Sequence, residues 1–438
     1  MAIGNNSSTA TCNPKILLVN PPIANFFEAP YPPLGLAYIA AVLEDNGYHV
    51  DILDMPILGL EISDVRKVFT GYCPDIVGIT SMTINYAAAL KIAEVAKEVF
   101  PRSLVCYGGP HASFADCEVL DESQAIDVVV RGEGEFAVLE LAMAFRKHHG
   151  FSHILGITFR HRNSSIFRNG ERPLIEDLDI LPLPARHRLP MAQYRKISDK
   201  TSIISSRGCI HECSFCQTSA FWHHTIRQRS AVSVIEEIEA IKENYDFTAF
   251  AFVDDLFLFD KRSLDMFDEI KRRGLKINWT CSSRVDLASR ECLRAASDSG
   301  CIGITFGIES GVQKTLDTIQ KKITIGQIKN IVSLCREFEI EMKLNFIFGL
   351  PYETKADIEK TRKLINELNP EYVTISSLIL LPGTDLATNP GKYGVKIGMN
   401  DWGSTVETSH LSVGEVYQEL ESCTVDLRNR GIKKRAGW

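Results

Sequence analysis

Cys209, Cys213 and Cys216 stand together in SSRGCIHECSFCQ, the densest of the places where the chain's twelve cysteines fall. Thiolates are soft ligands suited to zinc or to iron–sulfur clusters, and a C-x3-C-x2-C run brings three of them to one site. Structural zinc takes a fourth ligand, for which His211, His223 and His224 are the nearby candidates, His211 lying inside the run itself. A cluster held by three cysteines keeps one iron open to a cofactor or substrate, and this accounts better for the spacing. The other nine cysteines read as small buried hydrophobes, too scattered for a disulfide framework.

The run needs a scaffold, and the surrounding pattern supplies one. Downstream, Ser202–Ser206, Ala249–Asp254, Ile277–Ser282, Ile302–Ile308, Lys343–Phe348 and Tyr372–Leu378 read as strands. Between them, Ala231–Asn244, Leu264–Arg273, Arg290–Ser299, Ile325–Phe338 and Lys355–Leu368 have helical apolar spacing. Six such repeats predict a parallel α/β barrel or partial barrel over 201–385, with the chemistry on the loops after the strands. Cys209 directly follows the first of these strands.

Upstream, strands Lys15–Asn20, His49–Asp54, Ile76–Thr80, Leu104–Tyr107 and Val128–Val130 alternate with helices such as Leu34–Asn46 and Ala87–Phe100. This predicts a doubly wound, Rossmann- or flavodoxin-like α/β domain over 14–150. Ligands of such sheets bind at the carboxyl ends of the strands. Those ends carry Pro21-Pro22, Ser81-Met82, Gly108-Gly109-Pro110-His111 and Gly132-Glu133-Gly134, each also readable as a plain turn. Short alternating pieces and LPLPARHRLP fill 151–200, which reads as a linker with short strands. Residues 386–438 read as a C-terminal extension, a lid or substrate-facing piece that includes Trp402 and His410.

The composition is that of an ordinary globular chain: 438 residues, 45% hydrophobic, 24% charged, net charge −7. That charge offers no field for nucleic acid, and the basic cluster from Arg428 to Arg435 reads as a solvated tail. No apolar run approaches the ~20 residues of a membrane span, and the first residues lack a secretory pattern. The expectation is a cytoplasmic enzyme.

With Phe215 just before its last cysteine, the loop resembles the signature of the radical S-adenosylmethionine (SAM) enzymes. The resemblance implies that Cys209, Cys213 and Cys216 hold a 4Fe-4S cluster whose open iron binds SAM, which an electron from the cluster cleaves to a 5′-deoxyadenosyl radical. It implies SAM contacts at Phe215, at Asp254 and Asp255 for the methionine amino group, and at Arg284 for the carboxylate. Glu309 and Ser310 in Gly307-Ile-Glu-Ser-Gly311 match the ribose position. Gly349 in FGLP and Leu381 in LPGT match segments near adenine. Arg227 and Arg229 resemble a stretch common after the cluster loop.

The N-terminal pieces ILLVNPP, PPLGLAYIAAVLEDNGY, DIVGITSMT, YGGPHAS and VVRGEGE resemble the cobalamin (B12) binding domain of cobalamin-dependent radical SAM enzymes. On that resemblance Pro22, Leu34, Ser81, Met82, Gly108, Gly109, His111, Gly132, Glu133 and Gly134 contact cobalamin. The Asp-x-His-x-x-Gly motif that ligates cobalt in many cobalamin proteins is absent; Asn20-Pro21-Pro22 stands there. The function implied is methyl transfer to an unactivated carbon or phosphorus of a small metabolite, lipid or natural-product intermediate. Its electron donor would be a flavodoxin or ferredoxin. The alternatives are a radical cyclase or rearrangement enzyme with the same cofactors, and a cobalamin-binding sensor whose cluster is structural.

Overall fold

A computed structural model describes residues 13–23, 31–161, 164–400 and 403–429. Trp402 and the basic residues after Arg428 lie outside them. The chain divides into two compact units, the first formed mainly by residues 35–174 and the second mainly by 190–438.

The first unit holds a seven-stranded sheet of β1 (Lys15–Asn20), β2 (His49–Asp54), β3 (Ile76–Thr80), β4 (Leu104–Gly108), β5 (Val128–Val130), β6 (Ile157–Arg160) and β7 (Ile166–Arg168), in the order β2-β1-β3-β4-β5-β6-β7. The first five are parallel, with Ile16 opposite Val50 on one side and Ile76 on the other. The uninterrupted apolar run of β1 follows from being covered on both faces: Ile16, Leu17, Leu18 and Val19 are all buried. The winding reverses between β1 and β3, which opens a crevice at their carboxyl ends.

β6 and β7 are short strands within the stretch 151–200, and they join the first sheet. They add antiparallel to β5, with Val129 opposite Thr158. A buried ionic knot fixes them, since Asp116 accepts from Thr158 Oγ1 and from Arg168 Nε at 2.9 Å and lies 3.6 Å from Arg131 Nε. At three or four residues each, they were too short to be assigned to a sheet by pattern.

The second unit carries a six-stranded parallel sheet of β8 (Lys200–Ile203), β11 (Ala249–Phe252), β12 (Asn278–Ser283), β13 (Cys301–Glu309), β14 (Glu341–Phe348) and β15 (Tyr372–Ser377), ordered β15-β14-β13-β12-β11-β8. β8 and β15 form its two edges, which makes it a partial barrel. Alternate residues divide by face: Met342, Leu344, Phe346 and Phe348 are buried, whereas Asn345 and Ile347 are only half-buried. The helices between strands begin at real caps. Ser230, Asp260, Ser289, Thr324 and Thr354 each accept the backbone N–H three residues on, each cap being worth about 1 kcal/mol.

The expected strand Ser202–Ser206 is broken. β8 ends at Ile203, and β9 (Ser206–Gly208) leaves the sheet to pair antiparallel with β10 (Ile226–Gln228). Cys209 therefore follows a two-stranded ribbon, not the first barrel strand. The C-terminal extension forms a hairpin, β16 (Val395–Asn400) and β17 (Gly403–Thr408), and a helix, Val413–Asn429, packed against β15 and β14. No helix among the described residues is long and apolar enough to cross a membrane.

Candidate functional site

The ribbon presents the cysteine loop through a backbone that admits only glycine. Gly208 has φ +109°, and a Cβ there would lie 2.1 Å from the Thr225 carbonyl oxygen. Its N–H donates to Asp255 Oδ2 at 3.1 Å. Asp254, 5% exposed, accepts from the Ser205 N–H (2.6 Å) and hydroxyl (2.5 Å) and from the Ser206 N–H (3.1 Å) and hydroxyl (2.9 Å). Burial pushes both carboxyls above the usual range, against these hydrogen bonds. Their oxygens anchor the segment 205–208 that leads into the cysteines.

Beyond Gly208 the three cysteines lie on one half-buried turn, with the Cys216 N–H donating to the Cys213 carbonyl at 3.1 Å and Cys216 opening the short helix Gln217–Phe221. Burial raises the Cys209 and Cys213 thiols; at Cys213 the Lys321 and Arg284 cations pull the other way. Nη1 of Arg284 approaches Cys213 Sγ at 3.8 Å, while its other nitrogens donate to Asp286 (3.0 and 3.1 Å) and to the Lys321 carbonyl (2.7 Å). Among the described residues no three His, Cys, Asp or Glu side chains stand close enough to share a single metal ion; a cubane of four irons spreads its thiolates wider than one ion does. A set of three soft ligands beside two cations suits an anionic iron–sulfur cluster.

Glu309 follows on the end of β13 with φ +67°, a left-handed conformation that a side chain rarely takes. Its Oε1 accepts from Lys321 Nζ at 2.7 Å, and both residues are more than nine-tenths buried. Burial works against the Lys321 charge, but Glu309 and Cys213 outweigh it and raise its pKa. The amine also lies 6.0 Å from the Phe215 ring centroid. Gly307 makes room for the pair, since a Cβ there would meet Glu309 Oε1 at 2.4 Å and Lys321 Nζ at 2.9 Å. Lys321 was missed in the sequence. Its signal lies in the backbone around it, where Gln320 and Lys322 both have φ +55°.

The other residues expected to contact SAM also have protein neighbours. Ser310 is fully buried and faces Thr361 across 3.5 Å, joining β13 to the helix Lys355–Leu368. Gly349 has φ +79° and its open side meets Val416. Its N–H, with that of Leu350, donates to Glu353, whose carboxyl burial pushes up to about 8. Leu381 contributes its carbonyl to the Thr384 hydroxyl at 2.8 Å. The guanidinium of Arg227 lies over the Trp222 ring, 5.1 Å from its centroid, and donates to the Ile175 carbonyl; Arg229 pairs with buried Glu237. Both arginines brace the ribbon. The ring nitrogen Nε2 of His211 is buried without a partner, and burial with the Arg284 charge lowers its pKa. His223 and His224 are exposed.

In the first unit the strand ends carry a different face. Gly109 has φ +104°, and its missing Cβ would lie 2.5 Å from the Ser81 carbonyl oxygen, so the β3 and β4 loops touch backbone to backbone. The Ser81 N–H donates to the Gly108 carbonyl at 2.8 Å, and Gly108 itself packs on Val130. Gly132, φ +71°, donates to the Ser113 hydroxyl, and Gly134 abuts Ile39. Met82 is 43% exposed, Pro22 half-buried, Glu133 and Leu34 buried. The ring of His111 packs 4.4 Å from Tyr86, with Nδ1 at 3.1 Å from the Thr83 hydroxyl; burial lowers its pKa, against the pull of Glu122 and Glu118.

Comparison with known proteins agrees with this division. Residues 22–142 match the B12 binding domain and residues 203–365 the radical SAM superfamily. An uncharacterised methyltransferase of Pyrococcus horikoshii is 35% identical over 378 residues, 85% of this chain and 82% of that one. The anaerobic magnesium-protoporphyrin IX monomethyl ester cyclase of Rubrivivax gelatinosus is 30% identical over 81% of this chain and 66% of its own length. Among solved structures, the radical SAM methyltransferase TsrM from Kitasatospora setae, with cobalamin and a 4Fe-4S cluster bound, shares the fold. Its TM-score is 0.78 at 18% identity, over 95% of this chain and 89% of that one. The chain therefore belongs to the cobalamin-dependent radical S-adenosylmethionine enzymes, a family that works with a 4Fe-4S cluster, SAM and cobalamin.

Proposed function

We propose that this enzyme is a methyltransferase that modifies an unactivated carbon or phosphorus of a small metabolite, lipid or natural-product intermediate. The observation that carries the reading is the buried group of Arg284, Lys321 and Glu309 gathered around Cys213 at the strand ends. When bound, the cluster supplies the electron that cleaves SAM, and cobalamin supplies the methyl group. Cys209, Cys213 and Cys216 would hold the cluster. Glu309 would accept from the ribose hydroxyls, Arg284 and Lys321 would meet the SAM carboxylate, and Phe215 would flank it. Asp254 and Asp255 would keep the cysteine loop in place.

In the first unit, the backbone at Ser81, Gly108, Gly109 and Gly132 and the exposed Met82 side chain would cradle cobalamin. A domain spanning β1 to β7 would hold it, and the barrel of β8 to β15 would carry the cluster and SAM. Many unpaired cysteines across the described residues, and a cluster that must be reduced, support a cytoplasmic location with a one-electron donor of the flavodoxin or ferredoxin kind. The relationship to a cyclase keeps ring formation as the second reading.

The test is anaerobic reconstitution with iron, sulfide and hydroxocobalamin, beside a Cys209/Cys213/Cys216→Ala variant. Bound cobalamin with cysteine-dependent 5′-deoxyadenosine is expected, and a product one methyl group heavier than its substrate. Cleavage without cobalamin binding would end the methyltransferase reading. A product that has lost hydrogen or gained oxygen would establish the cyclase instead.

A further inference from the structure

Residues 382–393 lie beyond the last barrel strand, yet their hydrogen bonds return to the cysteine loop. Gln217 Nε2, one residue past Cys216, donates to the Pro382 carbonyl at 2.6 Å. The Leu386 N–H donates to the carbonyl of Ser214, between Cys213 and Phe215, at 3.0 Å. The Ser214 N–H in turn donates to the Ile319 carbonyl at 3.0 Å, two residues before Lys321. Three otherwise separate pieces are thus tied in series: the 382–393 segment, the cysteine loop and the strained turn that carries Lys321.

One carboxylate pins the segment. Asp385 accepts from Lys392 at 2.8 Å, from Asn389 at 2.7 Å and from the Tyr393 hydroxyl. The Tyr393 oxygen also receives Gln320 Nε2 at 3.4 Å, adjacent to Lys321. The far end is bolted to the loop after β14, where the Tyr352 hydroxyl donates to the Lys392 carbonyl at 3.0 Å and the Tyr352 ring leaves no room for a Cβ on Gly394. Ser214, Thr384, Leu386 and Tyr393 are all buried.

We propose that residues 382–393 are a clasp that sets the cysteine loop and Lys321 in register with each other, with Asp385 and Gln217 as its positioning residues. The proposal rests on the cysteine loop holding the cluster. Neither residue touches a cysteine sulfur; Gln217 acts through the Pro382 carbonyl, and Asp385 through Tyr393 and the Gln320 side chain. A loop released on this side keeps its three thiols but loses the fixed distance between Cys213 and the Lys321–Glu309 pair.

The test uses the full chain with Gln217→Leu and Asp385→Ala, and Tyr393→Phe as a milder variant that removes one hydroxyl should the others fail to fold. Without cofactors, hydrogen exchange of the 208–217 backbone should quicken by about tenfold in the first two, with β1 to β5 unchanged. After reconstitution, the electron paramagnetic resonance of the reduced cluster should retain its intensity but lose its response to SAM. Exchange at 208–217 equal to wild type in the variants overturns the clasp. So does an unaltered SAM response beside a lowered melting temperature, which would leave the contacts merely structural. A wild-type chain that binds no iron refutes the cluster reading, and the exchange measurement still decides the clasp.

Discussion

The two units present their strand ends in opposite styles. The face at β1, β3, β4 and β5 is largely backbone at glycines and Ser81, with Met82 and His111 beside it, and its fixed point is a contact between the main chains of Ser81 and Gly109. The face at β12 and β13 is made of charge, with Glu309, Lys321 and Arg284 all removed from water. A backbone floor suits a large flat ligand held over a wide area, where shape decides. A buried charged cluster suits a small, multiply charged ligand, where losing one partner strands another. The same α/β logic thus yields a cradle in one unit and an electrostatic socket in the other.

The contrast breaks most visibly at Lys321. Lys321→Met leaves Glu309 buried without its cation and should cost about 3–5 kcal/mol, measured by urea unfolding, with SAM binding lost and hydroxocobalamin uptake kept. A cost under about 1 kcal/mol would mean the pair is solvated and the socket is not one. Gly109→Ala should do the reverse. Its methyl group meets the Ser81 carbonyl at a φ that side chains avoid, which costs about 1–3 kcal/mol and should abolish cobalamin uptake while iron content is unchanged.

A smaller effect is expected at Glu353. Burial favours its neutral acid in the folded chain, so its contribution to stability is greatest at low pH and declines as pH rises from the ordinary 4.5 through about 8. Glu353→Gln should flatten that part of the melting-temperature profile and be the more stable protein at pH 8; an unchanged slope would place the carboxyl in water. The smallest belongs to His111→Ala. With Nδ1 on Thr83 and its ring on Tyr86, its loss should weaken hydroxocobalamin binding by less than about threefold, under 1 kcal/mol. A tenfold loss would make it a direct ligand.

Much of this was legible in the sequence where a pattern repeats. The strands Lys15–Asn20, His49–Asp54 and Ile76–Thr80 and the helix Lys355–Leu368 agree residue for residue with expectation, because each is a short, mostly apolar or alternating run or an amphipathic stretch between clear boundary signals. β9 and β10, three residues each and paired in a separate ribbon, were not legible; β6 and β7 fall on the short strands expected within 151–200, but their place at the edge of the first sheet was not legible. Side-chain direction was the harder loss. Asp254 and Ser310 stand in the expected motifs, but their protein partners, Ser205 and Ser206 for the one and Thr361 for the other, could not be read from them. Lys321 has no motif of its own and becomes visible only when the turn at 320–322 brings it back to Glu309.

The unclosed sheet of the second unit has a consequence for handling the protein. An open parallel sheet ends in strands with unpaired backbone donors and acceptors, a template for another chain to add to. The helix Val413–Asn429 lies against β15 and plugs the hollow at Gly349 with Val416. Shortening the chain before Val413 would strip that cover, so a trimmed protein should self-associate in solution before any of its chemistry is disturbed.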